Sequence, residues 1–599
     1  MADIDRKQAT IAQAAWLRAL QKTAGIAGNP SRTFPNVIAE LAQHHGDALA
    51  LVSDASSLSF GGLDARANQY ANWAIAEGLM RGDIVCLAMP NCPEYLAAWV
   101  GITRAGGTVA LLNTQQTGTA LAHAIGSVRP KLLIAGGGAQ AGHMRAIRPQ
   151  LDPRLRAWSD HDAGSGFSRL DLALAAMDIA PAARPSRAVP MLGDCALYIY
   201  TSGTTGLPKA ARVSHHRIMQ WSHWFAGMMD TQRTDRMYNV LPMYHAIGGV
   251  VATGAVLVNG GSVRIAERFS AHRFWDDVSN SECTLFQYIG ELCRYLVNAP
   301  AHPRERAHRL RLACGNGLSL PVWQAFQKRF NVGAILEYYA ATEGTFSLYN
   351  CEGRPGAIGR IPPYLRPRMP VALIEHDAET GLPARAADGF CVKCAPGGVG
   401  EAIGRIKLAD GTGSAQFEGY TDIAASTAKL LRDVFKPGDA WYRTGDLMRT
   451  DEHGFYYFVD RVGETFRWKG ENVSATEVAG IIAQCSGVQE AIVYGVEVPG
   501  TEGRAGMAAI VTGEGFDLAT LWRHVRAELA AYARPLFVRL LPDLETTATF
   551  KPRKNDYQHD GFDPARTADP IYFGDTAAGE FVPLDRPLYD RILSGSVRL

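Results

Sequence analysis

The chain has 599 residues, enough for about three to six folding units and too many for one hydrophobic core. Hydrophobic residues make up 47% and charged residues 20%, which excludes disorder, collagen-like repeats or coiled coil as a description of the whole. Lys and Arg number 60 against 59 Asp and Glu, and the net charge of +1 argues against broad electrostatic binding to nucleic acid.

From the N-terminus, MADIDRKQATIAQAAWLRALQK is charged throughout and reads as an amphipathic helix, not a signal peptide. Short apolar runs then alternate with amphipathic stretches: IVCLAMP (84–90), YLAAWVGITRAG, TVALLN (108–113), KLLIAG (131–136) and, later, GAILEYY (333–339). Strand, helix, strand is the pattern of a largely parallel α/β sheet. Gly136-Gly137-Gly138 and Ala141 formally match GxGxxA, but no acidic residue is convincingly placed about 20 residues on, so a strand end with a glycine turn is expected. Residues 154–190, rich in Ala, Asp, Ser and Pro, are expected to include surface loop. IGGVVATGAVLV (247–258) is too short for the roughly 20 residues of a membrane span and predicts a buried helix. Ten scattered cysteines suit a reducing compartment. Cys391 and Cys394 form a CxxC without a second pair nearby, so a structural role is expected. Near residue 447 the character changes. RTDEHGFYYFVDRVGET predicts a hairpin, Ser474 with Glu477 a capped helix, and the remainder a small α+β domain that includes the helix DLATLWRHVRAELAAYARP.

One segment carries chemistry by itself. After the apolar ALYIY come Thr201-Ser202-Gly203-Thr204-Thr205-Gly206-Leu207-Pro208-Lys209. Backbone N–H groups at a glycine turn can approach phosphate oxygens, hydroxyls add donors, and Lys209 adds charge. Five residues separate Gly203 from Lys209 and Ala210 follows it, so this is not a Walker loop.

TSGTTGLPK resembles the phosphate-loop signature of the adenylate-forming enzymes: acyl-CoA synthetases, luciferases and peptide-synthetase adenylation domains. Tyr339-Ala340-Ala341-Thr342-Glu343-Gly344 resembles their Tyr-Gly-x-Thr-Glu motif, with Ala340 in place of the usual Gly. Gly315-Asn316-Gly317 sits where they have an adenine-side glycine loop. Tyr442-Arg443-Thr444-Gly445-Asp446, then Asp460-Arg461, Trp468-Lys469-Gly470-Glu471-Asn472, and Thr549-Phe550-Lys551 follow in the family's order. Phe286 to Tyr295, Phe466 to Ser474 and the tail after Lys551 are similar to the fatty-acid transport protein and very-long-chain acyl-CoA synthetase branch.

The resemblance implies an α/β fold: a large N-terminal body of subdomains with mixed parallel sheets over 1–462, and a small mobile α+β C-terminal domain over 463–599. It implies an ATP-dependent ligase that joins a long or very long chain fatty acid first to AMP and then to coenzyme A. The alternatives are a bile-acid or steroid side-chain CoA ligase, a fatty acyl-AMP ligase loading a carrier protein, and a non-catalytic lipid-trapping factor. Lys551, Glu343, Thr342 and His245 are the implied catalytic residues, with Lys554 competing with Lys551. Nucleotide binding is implied for Thr201, Ser202, Gly203, Thr204, Thr205, Gly206, Lys209, Gly315, Asn316, Gly317, Tyr338, Tyr339, Ala340, Thr342, Asp446 and Arg461. Lys469, Gly470 and Glu471 are implied on the coenzyme A side. Glu343 and Thr204 would hold Mg2+, and Gly463 is the implied hinge. Eukaryotic members carry an N-terminal membrane segment. Here a bacterial-type member is expected, cytoplasmic or peripheral at the inner face of the membrane, with no nucleic acid partner.

Overall fold

The computed structural model describes residues 2–162, 164, 166–182, 189–202, 207–377, 382–406, 417–462, 465–468, 471–499, 501, 503–545, 554–597 and 599. They form two units, Met1–Pro370 with Arg405–Leu431, and Val371–Gly404 with Arg432–Leu599.

The first unit is built on two sheets. One has seven strands in the spatial order Ser168–Arg169, Arg156–Ser159, Leu132–Ala135, Ile84–Ala88, Thr108–Leu111, Cys195–Ser202 and Pro208–Ser214. Its central strands pair in parallel and are mostly buried, as expected of parallel strands covered on both faces. The last pair, Cys195–Ser202 with Pro208–Ser214, is antiparallel and sets Thr201 opposite Lys209. The other sheet runs Gly359–Arg360, Ser347–Asn350, Ile335–Ala340, Leu312–Asn316, Leu285–Ile289, Arg236–Asn239, Ser262–Ile265, Leu49–Val52 and Ser57–Ser59. Its middle strands are parallel, and Ile335–Ala340 meets Ser347–Asn350 antiparallel.

The helix His215–Met228 leaves the end of the first sheet, capped by Ser214, whose hydroxyl accepts from Arg217 N at 3.1 Å. The N-terminal helix Ala2–Ala24 packs on it. Gly227 permits the approach: a Cβ there would come within 2.5 Å of Ala19 backbone. Arg18 Nε donates to Gly227 O at 3.1 Å, and buried Trp16 sits edge-on to Trp224 and Tyr349.

In the second unit, Val371–Ile374, Val399–Arg405, Ala440–Thr450 and Phe455–Arg461 are neighbours in one sheet, and Val488–Glu497 through Glu580–Pro583 form a separate five-stranded sheet. Residues 466–592 share a hydrophobic core that includes Val478, Ile482, Ile510, Val525, Phe537 and Phe573. The strands Val371–Ile374, Ala440–Thr450 and Phe455–Arg461 thus belong to the second unit.

Most expected elements appear: the amphipathic N-terminal helix, the strands at 84, 108, 132 and 335, the hairpin expected over 449–465, formed by Ala440–Thr450 and Phe455–Arg461, and the helix Ala475–Ile482 capped by Ser474. Residues 248–257 are buried, as a π-helical turn running into an α-helix. Between its loops the stretch 154–190 also carries Arg156–Ser159, Ser168–Arg169 and the helix Leu170–Ala175. Leu170 and Leu174 are buried, and such short apolar contacts are diluted in an Ala- and Asp-rich composition. The glycines at 136–138 end a strand and open the helix Ala139–Ile147. Cys391 and Cys394 are free thiols, and no group of three or more metal-ligating side chains occurs among the described residues.

Candidate active site

The Thr342-Glu343 pair lies in the loop after the strand Ile335–Ala340. Glu343 is buried, 7% exposed. Its Oε1 accepts from the Tyr420 hydroxyl at 2.5 Å. Burial, reinforced by the neighbouring carboxylate, pushes the Tyr420 phenol up, so it stays a donor at neutral pH. Tyr420 also interacts with Thr201 at the start of the phosphate loop. Its segment runs antiparallel to the strand Pro208–Ser214, with Arg212 N donating to Gly419 O and Thr421 N to Ala210 O.

Thr342 is held through its backbone. Arg217, in the first turn of the helix His215–Met228, donates to Thr342 O at 2.7 Å and pairs with Glu418 at 3.3 Å. Glu418 also accepts from Ser214 N and Ser214 Oγ, both at 2.7 Å. The strand carrying Lys209, the helix start at Ser214 and the Thr342-Glu343 loop are therefore joined by residues 418–420. Lys209 is half-buried opposite Thr201, Ser202 ends the preceding strand, and Gly203, Thr204, Thr205 and Gly206 lie outside the described residues.

The glycine loop after the strand Leu312–Asn316 is tightly packed. A Cβ on Gly315 would lie 2.2 Å from Tyr288 O, one on Gly290 would lie 1.8 Å from Gly317 O, and Gly317 has φ of 79°. Beneath it is a residue that motif reading passed over. Glu337 is 1% exposed, accepts from Tyr288 Oη at 2.5 Å and from Leu318 N at 3.1 Å, and burial pushes its carboxyl up to about 8. Tyr339 is half-buried against Phe346, and Ala340 ends the strand, whereas Tyr338 points to the other face and is buried against Phe225. His245 is half-buried against Tyr244, before the helical segment at 247–257. Tyr238, Phe286 and Tyr288 pack into one aromatic group, and the Tyr238 hydroxyl is taken by Asp277.

In the second unit, Asp446 and Arg461 are cross-strand partners with Nε to Oδ1 at 3.2 Å. Asp446 is buried and Arg461 is half-exposed, so one carboxylate edge and one guanidinium sit side by side at the end of the hairpin. The strand leading into Asp446 is fixed by Glu401, fully buried, which pairs with Arg443 and accepts from Gly445 N. Asp460 is also fully buried and accepts from Ser474 Oγ, Thr476 Oγ1 and Arg461 N. Glu401 carries no independent sequence signal, because it satisfies Arg443 and Gly445 some 40 positions away. Glu471 begins the strand Glu471–Val473, and Lys554 begins the helix Lys554–Asp560. Gly463, Lys469, Gly470 and Lys551 lie outside the described residues.

Mg2+ takes oxygen ligands and is usually held by one or two carboxylates plus substrate phosphates. A single buried carboxylate beside the phosphate-loop strand fits that donor set, and Glu343 is such a group.

Two families of known domains match this chain: "AMP-binding enzyme" over residues 38–383 and "AMP-binding enzyme C-terminal domain" over 477–551. Long-chain fatty acid transport protein 1 of Bos taurus is 40% identical over 95% of this chain and 88% of its own length. Medium/long-chain-fatty-acid–CoA ligase FadD6 of Mycobacterium tuberculosis is 38% identical over 91% of this chain and 88% of its own. The ATP-bound MatB structure from Rhodopseudomonas palustris shares the fold, with a TM-score of 0.72 at 24% identity over 88% of this chain and 98% of that one. A benzoate CoA ligase structure from Burkholderia xenovorans gives 0.73 at 20% identity over 88% of this chain and 100% of its own. The ordered motifs, the fold and these matches place the chain in the AMP-binding, adenylate-forming enzyme family.

Proposed function

We propose that this chain is an ATP-dependent acid–thiol ligase that activates a long-chain fatty acid as its acyl-adenylate and passes the acyl group to coenzyme A. The observation that carries the reading is the buried Glu343, fixed between Tyr420 and the Arg217-clamped Thr342 at the phosphate-loop strand. A carboxylate attacking the α-phosphate of ATP meets a polyanion, so the protein must supply positive charge and fixed donors where negative charge develops. Lys209 and the backbone and hydroxyls of 201–206 serve the β- and γ-phosphates, and Thr342 serves the α-phosphate. Mg2+, held by Glu343 with Thr204, would neutralise phosphate charge. Asp446 accepts from ribose hydroxyls beside Arg461, and Tyr339 offers its ring to adenine. Lys551 bridges the substrate carboxylate and the α-phosphate during the first half-reaction, and His245 lies on the carboxylate side. The two relatives with fatty-acid names, each matched over nearly the whole chain, support a long-chain acid.

ATP–pyrophosphate exchange across saturated acids of increasing length and a bile acid, with and without coenzyme A, tests this reading. The expected result is exchange strongest with long-chain acids and thioester formed only with coenzyme A. Exchange without thioester would point to carrier loading, and no exchange with any acid would overturn the enzyme reading. We place the protein in the cytoplasm, peripheral to membrane because of its apolar substrate. Sedimentation with liposomes tests that placement, and a protein left wholly in the supernatant would refute it.

A further inference from the structure

We propose that Tyr420 is a positioning residue for Glu343, and that residues 418–421 tie the metal-side carboxylate to the phosphate-loop strand as one rigid unit. The inference rests on the reading of Glu343 given above. The Tyr420 hydroxyl meets Glu343 Oε1 at 2.5 Å, with both residues 7% exposed. The Tyr420 ring packs against Ala211 and Ala425, and its backbone is bridged to Ala211, two residues after Lys209. Glu418, two residues earlier, binds Ser214 and Arg217, and Arg217 holds the Thr342 carbonyl. Glu343 is thus fixed twice: by its own carboxylate through Tyr420, and by the backbone of Thr342 through Arg217. The first restraint comes from Tyr420 itself, and the second from Arg217, which Glu418 on the same short segment holds by an ion pair. A glutamate has three rotatable side-chain bonds, and a phenol donor on one oxygen restricts the carboxylate plane to one arrangement. A divalent ion bound to ATP needs its carboxylate ligand already in place, because ordering it on binding costs affinity.

Tyr420→Phe removes one oxygen and keeps the ring packing. The Kd of Mg·ATP, read by calorimetry, and the Mg2+ concentration at half-maximal pyrophosphate exchange should each rise about tenfold, the scale of a hydrogen bond to a charged group. The KM for the acid should move less than twofold, and the thermal midpoint without ligand should stay near that of the parent. Adding Tyr420→Phe to Glu343→Gln should produce no further loss in Kd, since the tyrosine acts through the glutamate. A Tyr420→Phe protein with parental Mg·ATP affinity and Mg2+ dependence, beside an impaired Glu343→Gln, would overturn the positioning role and leave the metal reading standing. Parental behaviour in both variants would overturn both. Equal losses in Mg·ATP and acid affinity, or additive losses in the double variant, would mark Tyr420 as merely structural and overturn the proposal.

Discussion

The Tyr288 hydroxyl donates to Glu337 Oε2 at 2.5 Å beneath the glycine loop, and the other oxygen of the same carboxyl receives Leu318 N. This carboxyl is the floor on which the loop at 315–317 rests. Its pKa is raised from 4.5 to about 8 by burial, so the folded protein holds a proton there that the unfolded chain releases. A raised folded pKa contributes stability that is complete below about 4.5 and is lost as pH climbs to about 8. Glu337→Gln keeps a neutral hydrogen-bonding group without titration. Between pH 5 and 8 the thermal midpoint of the variant should therefore gain on that of the parent. A midpoint difference that is constant with pH would show that the carboxyl is not raised.

Gly315 and Gly290 leave no room for a methyl group, since each Cβ would strike backbone at 2.2 Å or less. Gly315→Ala should lower stability by about 1–3 kcal/mol and weaken ATP binding, because Tyr288 must retreat from Glu337 to admit it. Gly25→Ala, where nothing lies within 4 Å, is the matched control and should change neither. Equal melting curves for both variants would contradict the packing.

Asp446→Asn should raise the KM for ATP by about tenfold while moving the melting temperature little, because ion pairs with a half-exposed partner contribute only about 0–1 kcal/mol. Steady-state kinetics with ATP varied at saturating acid is the check. A KM within twofold of the parent would remove the ribose from its role.

Lys551→Ala should abolish adenylate formation and spare transfer from supplied acyl-adenylate to coenzyme A. Gly463→Pro should impair one half-reaction more than the other, because proline fixes φ where a swivel needs freedom. Separate assays of the two half-reactions decide both, and equal loss of the two by Lys551→Ala would contradict the division of labour.

Short contiguous motifs and apolar strands are legible in the sequence, whereas side chains that act on distant partners are not. Thr342-Glu343 and Asp446 announce themselves because chemistry demands particular residue types in a row. Tyr420, Arg217 and Glu418 do not, since each acts on a partner 77, 125 or 204 positions away. Glu337 stands beside the motif at 339–344, yet nothing in its neighbours announces a buried acid. The strand segments were readable from apolar runs because parallel sheets bury both faces. Residues 156–175 were not, because short, half-exposed elements leave no clear period.

The N-terminal helix closes onto Gly227 and Trp224, so its docking surface does not exist until more than 200 further residues have been made. At about 5–20 residues per second, the ribosome needs roughly 10–40 s to supply it. For that interval the apolar side of the helix, including Trp16, has no native partner on the helix His215–Met228.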